Sequence, residues 1–464
     1  MKSASEPYRF DRSIFREYDI RGIVGQTLSA EDAYLIARAF ATKVAVAQPG
    51  GFICVGYDGR MSSLELNEAV CKGVTDSGVN VVDVGLGPTP MLYFSSYTLK
   101  AAGAIMITGS HNPPDHNGFK FVFSGAPFFG DDIRMLCDIA EGGDFTEGKG
   151  GIEQRDMRET YVNTLVAAYD GKRSLNVAWD AGNGATGEIM TLLCDQIPGM
   201  HALLNAKIDG TFPSHHPDPT VPENLQQLIA AVLKNEFDAG IAFDGDGDRV
   251  GVVDDEGEIL WGDQLLMLFS AEVLAKKPGA TIIADVKASG ALFEEIERLG
   301  GHPLMWKTGH SLIKAKMAET GAPLAGEMSG HMFFADSYYG YDDGLYAAVR
   351  LLGILSRSGQ KLSDLRKALP QRFNTPELRF PCDEDRKFIV IEEIKERLVK
   401  DGVSFIDIDG LRVNTDNGWW LIRASNTQPM LVARCEGFTK AALESLKSDL
   451  RVQVVLSGVY PPQQ

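Results

Sequence analysis

The sequence predicts an α/β protein of several domains: three similar α/β domains with mixed sheets, followed by a smaller C-terminal α+β domain. Three observations carry this. An apolar strand ending in a polar turn that contains Gly or Ser occurs three times, as FICVGYDGRMSS (52–63), LNVAWDAGNGATG (175–187) and TIIADVKASG (281–290). Each copy is followed by a helical stretch and a second strand, VNVVDVGLGPTP (79–90), HALLNAKIDGTFP (201–213) or HPLMWKTGHSLI (302–313). A third strand then closes each unit: AGAIMITGSHNP (102–113), FDAGIAFDGDGDR (238–249) and GAPLAGEMSGH (321–331). Strands alternating with helices build layered α/β domains, and ligand loops in such sheets collect at the carboxyl ends of the strands. From about 371 the pattern changes. LRFPCDED (378–385), a charged amphipathic helix near 385–400, short strands at 405–415 and 419–429 and a final helix near 438–453 read as the α+β unit. The expected domains are 1–156, 157–258, 259–370 and 371–464, with a linker at PELRFPCDED after Leu369-Pro370.

Taken in order, FREYDIRG (15–22) sets Arg16, Tyr18, Asp19 and Arg21 among apolar residues. A helix is expected over about 30–47, with Ser29 as its N-cap and Glu31 and Asp32 in the first turn. The chain of 464 residues, 44% hydrophobic, is long enough for several cores. Its net charge of −18, with no compensating Lys/Arg block, disfavours nucleic acid and anionic membrane as partners. The six cysteines are scattered without CxxC spacing, so neither a disulfide framework nor a zinc site is expected. The segment MKSASEPYRFDRSIFREYD lacks an apolar h-region and no later run reaches ~18 apolar residues, which makes a soluble cytoplasmic chain the expectation.

The third strands deliver three different loops. In TGSHNPP (108–114), Pro113-Pro114 blocks helix formation and Ser110 is held beside His111, as a nucleophile or phosphate carrier would be; an ordinary polar turn is the competing reading. DGDGDR (244–249) places Asp244, Asp246 and Asp248 on alternate residues between apolar strands. Three carboxylates so close repel one another unless a cation neutralises them, and an all-oxygen set suits a hard ion such as Mg²⁺. An EF-hand calcium loop is a poor match, because Arg249 and Asp255 stand where Gly and Glu are needed. GEMSGH (326–331) offers Glu327 and Ser329 as an acceptor–donor pair for vicinal sugar hydroxyls and His331 for proton transfer, or a simple glycine-rich turn. RASNTQP (423–429) gathers Arg423, Ser425, Asn426 and Thr427 as furniture for a phosphate that is held but not transferred, or a capped turn. Arg21, Lys120, Arg249, Lys287 and His310 lie in or beside these loops.

These four motifs, in this order and spacing, resemble the α-D-phosphohexomutases, and the resemblance spans the chain, including FREYDIRG and GTFPSHHPDP (210–219). Within the family, GEMSGH with TGSHNPP is similar to the bacterial phosphomannomutase/phosphoglucomutase branch. A phosphoglucosamine mutase more typically carries Gln at Met328, and Gln428 departs from the Thr or Glu expected there. The resemblance implies four domains around a central cleft, and a reversible shift of phosphate between C1 and C6 of mannose or glucose phosphates through a 1,6-bisphosphate. It implies Ser110 as the phosphoserine, with Asp244, Asp246 and Asp248 binding Mg²⁺ that also meets the phosphoserine. It implies Glu327 and Ser329 on sugar hydroxyls, and Arg423, Ser425, Asn426 and Thr427 on the static phosphate. Arg21, Lys120, Arg249, His310 and His331 become candidates for proton transfer and charge stabilisation, with Tyr18 and Lys287 lining the site. Glucose or mannose 1,6-bisphosphate is the implied activator, phosphosugars are the only expected partners, and a monomer is expected. The alternatives are a phosphoglucosamine mutase, a Mg²⁺-dependent phosphosugar phosphohydrolase, which would leave the fourth-domain loop without a role, and a non-catalytic phosphosugar-binding protein.

Overall fold

A computed structural model describes residues 8–426 and 428–460; Thr427, one of the expected phosphate ligands, lies outside them. The chain forms two compact units, Met1–Gly262 with Ser329–Arg366, and Asp263–Met328 with Lys367–Gln464.

One strand arrangement recurs three times, and it is the one the repeats encode. In the first unit, Phe52–Tyr57 is flanked by two parallel neighbours, Asn80–Leu86 and Gly103–Ile107, and His116–Phe123 runs antiparallel beside the last. Likewise Val177–Asp180 lies between His201–Leu204 and Ala239–Phe243, both parallel, with Val250–Asp254 antiparallel to the latter. In the second unit, Thr281–Asp285 lies between parallel His302–Trp306 and Leu324–Gly326. The third strand of each repeat is therefore adjacent to the first, and their carboxyl ends share an edge. Gly103–Ile107 and Ala239–Phe243 are buried at every position, the mark of strands covered on both faces.

Helices cover the sheets through apolar stripes. Ala30–Ala47 starts in a capping box, Ser29 accepting from the Asp32 N–H while the Asp32 carboxylate accepts from the Ser29 N–H. It buries Ile36, Phe40 and Val44, spaced by four, in a core with Ile53, Val55, Ile105 and Phe121. Each such side chain contributes about 1.5–3 kcal/mol by leaving water.

The C-terminal sheet is antiparallel: Leu411–Thr415 pairs Gly418–Ala424, which pairs Met430–Gly437. The helices Glu384–Lys400 and Lys440–Leu456 pack on it through Val390, Ile394, Leu398, Leu443, Leu446 and Leu450. The strand Met430–Gly437 is absent from the sequence reading; its Leu431, Ala433 and Cys435 alternate with Val432, Arg434 and Glu436, so it keeps a strand's period of two, yet both faces are buried and the charged pair reads as a solvated turn.

The segment 329–366 packs with the first unit rather than with 263–328. Main-chain bonds from Val250 N to Gly330 O and from Gly344 N to Gly247 O tie it there. A tyrosine cluster completes the joint: Tyr341 meets Tyr93 at 5.5 Å between ring centres, and Tyr161 and Tyr338 both donate to Asp343 Oδ2. Strand–helix periodicity carries no trace of such a cluster. Among the described residues no helix is long and apolar enough to cross a membrane, and all six cysteines are buried and free.

Candidate active site

In the first unit the strand Gly103–Ile107 ends and Ser110 adopts a left-handed φ of +48°, which costs a non-glycine residue about 1–2 kcal/mol. One guanidinium holds the loop in that shape. Arg60, 3% exposed, donates to the carbonyls of Ser110 (2.7 Å), Asn112 (2.7 Å), Pro113 and His116 (2.9 Å). Asp58 takes its Nε at 3.2 Å and accepts from Thr108 Oγ1 and Gly109 N. A Cβ on Gly109 would stand 2.3 Å from the Arg60 guanidinium carbon, so any larger residue before Ser110 would displace the guanidinium that holds the loop.

So held, Ser110 Oγ donates to Asp244 Oδ2 at 2.8 Å, with His111 Nδ1 at 3.2 Å. The strand Ala239–Phe243 delivers the aspartates, and Gly247, at φ +78°, turns the chain so that all three side chains converge. Asp244, Asp246 and Asp248 are fully buried, with ligand oxygens within 4.8 Å of one another. Burial, reinforced by Asp246 and Asp248, pushes the Asp244 carboxyl well above the usual range. Lys120 reaches Asp246 Oδ2 at 2.7 Å and Asp248 Oδ2 at 2.5 Å. Burial works against its charge, but those carboxylates keep it protonated well above its ordinary value. Burial also drives His111 down to about 3, with Arg249 assisting, so its imidazole is neutral.

The aspartate set fits a hard divalent cation. All its donors are oxygens, and Asp246 Oδ1 is buried without a hydrogen-bond partner although Oδ2 has Lys120 and Thr89. An orphaned carboxylate oxygen in such a cluster is a ligand position. His331 Nε2 lies 3.2 Å from Asp248 Oδ1 and 3.3 Å from Arg249 Nε, and Ser329 Oγ lies 3.4 Å from its Nδ1. Asp342 joins Asp248 and His331 in a second buried group with metal-ligand spacing. Arg21 bonds the Asp19 carboxylate and the Thr108 carbonyl, and Tyr18 is half-buried just before its strand.

In the second unit, the turn after His302–Trp306 carries Thr308, Gly309 and His310, the last opening a helix to Thr320. Gly309 N donates to Glu327 Oε1 at 2.7 Å. Asp285 accepts from Thr308 Oγ1 (3.2 Å) and Met328 N (3.2 Å); burial raises its carboxyl to about 6 although Lys287 opposes. Lys287 Nζ lies 3.3 Å from Glu377 Oε2. Arg423 is the next-to-last residue of the strand Gly418–Ala424 and donates from Nε to Asp409 Oδ2 at 2.9 Å. Beyond it Ser425 N donates to Met430 O, Gln428 N to Ser425 Oγ, and Asn426 lies at the bend. Lys387 Nζ donates to the carbonyls of Ser425 (2.6 Å) and Gln428 (3.3 Å).

The structure thus gathers Ser110, Lys120, Asp244, Asp246, Asp248, Arg249 and His331 in one unit, and Lys287, His310, Glu327, Arg423 and Ser425 in the other. The division falls inside GEMSGH, with Glu327 in the second unit and Ser329 in the first. Sequence reasoning missed the residues beneath the loops: Asp58, Arg60, Thr89, Asp285, Lys387 and Asp409. A signal existed for Lys387, since it precedes Ile391, Ile394 and Leu398 on the buried helix face where a lysine is out of place.

Fold and site define a class: a repeated α/β enzyme whose buried serine faces a carboxylate cluster that could hold a cation, a layout suited to metal-assisted phosphoryl transfer. Models of phosphoglucomutase/phosphomannomutase α/β/α domains I, II and III match residues 12–147, 159–257 and 261–373, and the model of the C-terminal domain matches 377–452. The chain belongs to the phosphoglucomutase/phosphomannomutase family. It is 46% identical to a phosphomannomutase/phosphoglucomutase of Pseudomonas putida, covering 97% of each chain. A phosphoglucomutase of Neisseria gonorrhoeae is 45% identical over 96% of this chain and 97% of its own. The crystal structure of a phosphoglucomutase/phosphomannomutase family protein from Burkholderia thailandensis superimposes with a TM-score of 0.92 at 45% identity, covering 98% of this chain and all of that one.

Proposed function

We propose that this chain moves phosphate reversibly between C1 and C6 of mannose and glucose phosphates, with Ser110 as the phosphate carrier and a hexose 1,6-bisphosphate as intermediate and activator. The observation that carries the proposal is the buried contact of Ser110 Oγ with Asp244 inside a carboxylate cluster that holds an orphaned oxygen. In the forward step the P–O bond to Ser110 breaks as a P–O bond to the sugar hydroxyl forms, and the hydroxyl proton passes to a base. The bisphosphate turns over, and its other phosphoryl group returns to Ser110 Oγ.

Asp244, Asp246 and Asp248 would hold Mg²⁺, which supplies charge neutralisation on the transferring phosphoryl oxygens. Lys120 and Arg249 add fixed positive charge, Arg21 braces the Thr108 carbonyl behind the serine, and His331, 3.2 Å from Asp248, is a candidate to exchange the sugar proton. Glu327, Ser329, Lys287, His310 and Tyr18 recognise the sugar, while Arg423, Ser425, Asn426 and Thr427 hold the phosphate that does not react. Because phosphoryl transfer asks little covalent chemistry of the protein, positioning and electrostatics do most of the work. In this reading the four functional segments are 1–156, 157–258, 259–370 and 371–464, acting as a monomer in the cytoplasm.

The test is isomer formation from mannose 1-phosphate and glucose 1-phosphate with catalytic hexose 1,6-bisphosphate, alongside mass spectrometry of the Ser110 peptide. Isomer yield with one phosphate on that peptide is expected. Free phosphate without isomer would identify a phosphohydrolase instead, and faster turnover of glucosamine 6-phosphate would identify a phosphoglucosamine mutase.

A further inference from the structure

Building on the reading that Arg423 grips the static phosphate and Glu327 a sugar hydroxyl, we propose that Asp409 is a positioning residue that sets the spacing between those two subsites. A single oxygen, Asp409 Oδ2, accepts from Arg423 Nε at 2.9 Å and from the Thr308 main-chain N–H at 3.1 Å. Beyond Thr308 the connection runs on without a break. Its Oγ1 donates to Asp285, whose other oxygen accepts from Met328 N, and the next N–H, that of Gly309, donates to Glu327 Oε1 at 2.7 Å. A hydrogen-bonded chain therefore joins the guanidinium on the C-terminal sheet to the carboxylate of the sugar loop, and Asp409 is the link between them.

The backbone is shaped for this link. Gly410 sits at φ +77°, and a Cβ there would lie 2.3 Å from Ile422 O and 2.5 Å from Arg423 Cβ. The Asp409–Gly410 turn is pressed flat against the strand that carries Arg423, which delivers a short carboxylate at contact distance. The Asp409 and Arg423 side chains are 14% and 7% exposed, so solvent does little to screen the pair. Engagement through Nε fixes the plane of the guanidinium, and a planar fork recognises phosphate only in one orientation. Because the same oxygen anchors Thr308, a shift of Asp409 moves the phosphate fork and the sugar turn relative to each other. The ruler so formed matches one distance between a phosphate and the ring hydroxyls, and disfavours shorter phosphosugars such as pentose 1-phosphates.

The test compares Asp409→Ala, Asp409→Glu and Asp409→Asn with the wild-type chain, using mannose 1-phosphate, ribose 1-phosphate as competing ligand, and inorganic phosphate as inhibitor. Asp409→Ala should raise KM about tenfold with kcat within about threefold, the range expected for losing charge-assisted hydrogen bonds that act in binding. Asp409→Glu keeps the charge but lengthens the arm by one methylene, and should raise KM nearly as much while narrowing the preference for mannose 1-phosphate over ribose 1-phosphate. Asp409→Asn still accepts both bonds and should stay within about threefold of wild type. Combined with Glu327→Gln, the Asp409→Ala loss in kcat/KM should fall short of the product of the two single losses. Multiplicative losses, wild-type behaviour of Asp409→Glu, or inhibition by inorganic phosphate weakened as much as substrate binding would each overturn the spacing role. If Asp409→Ala does not fold, the Asp409→Glu comparison and its cycle with Glu327→Gln decide the question alone. Absence of isomerisation by the wild-type chain overturns the underlying reading and this proposal together; isomerisation with multiplicative losses overturns the proposal only.

Discussion

Two loops of this protein rest on a buried cation, and the cations differ. Beneath the Ser110 loop, the Arg60 fork gathers the carbonyls of Ser110, Asn112, Pro113 and His116. Beneath the loop after Arg423, the Lys387 ammonium takes the carbonyls of Ser425 and Gln428. A guanidinium presents donors in a rigid plane, whereas an ammonium is a point charge on a flexible stem. The first loop must hold a left-handed serine against a carboxylate cluster that repels itself. In the proposed function the second has only to fold around a phosphate. On the proposed function, rigidity falls where the reacting atom would sit, and adaptability where the group would merely be held. Changes in the first loop should therefore lower kcat, and changes in the second should raise KM.

The largest effect sharpens that contrast most. Ser110→Ala removes the oxygen proposed as carrier, and isomer formation should fall at least about 10³-fold, the scale seen when a covalent nucleophile is deleted. Arg423 and its loop are untouched, so binding of glucose 6-phosphate, followed by calorimetry, should change less than about threefold. Near wild-type turnover would sink the assignment of Ser110 as carrier. Arg60→Lys comes next. A lysine cannot satisfy four converging carbonyls, so Ser110 is left free to leave its left-handed conformation, and kcat should fall about 10- to 100-fold with KM nearly constant. A rise in KM without loss of kcat would show that Arg60 serves the fold rather than the serine.

Strands, loops and cations were unequally legible in the sequence. The three repeats were plain because each central strand is an uninterrupted apolar run, as in Thr281–Asp285, and the ligand loops follow directly from it. The aspartate cluster was plain because alternate carboxylates between apolar strands are poorly explained by an EF-hand loop or a surface turn. Arg60 was hidden: its four partners are main-chain carbonyls fifty or more residues away in sequence, and carbonyls leave no mark on side-chain pattern. Asp285 and Asp409 were hidden for a related reason, since each acts chiefly on N–H groups of a distant turn. The tyrosine cluster around Asp343 falls outside any strand or helix period.

At the proposed phosphate site, Arg423→Lys should raise KM for either hexose phosphate about 10-fold with kcat little changed, because the planar guanidinium is replaced by a single point charge. Steady-state kinetics with mannose 1-phosphate reads this directly. A fall in kcat at constant KM would place Arg423 in the chemical step and erase the contrast between the loops.

The smallest effect is the most exacting test of the comparison. Lys387→Met keeps the length and buried stem of the side chain while deleting the ammonium, so the packing against the C-terminal core is preserved. What is lost are the bonds to the carbonyls of Ser425 and Gln428, together with the half-exposed ion pair to Glu384 on the same helix, which is worth little. Other contacts still shape the loop, among them Ser425 N to Met430 O at 3.0 Å, Met430 N to Gln428 O at 2.8 Å and Gln428 N to Ser425 Oγ at 3.1 Å. The variant should therefore raise KM only about threefold and leave kcat unchanged, a loss near the lower end of what a hydrogen bond contributes. If Lys387→Met instead costs as much in kcat as Arg60→Lys, the two cations do the same work, and the division between a rigid reacting loop and an adaptable binding loop fails.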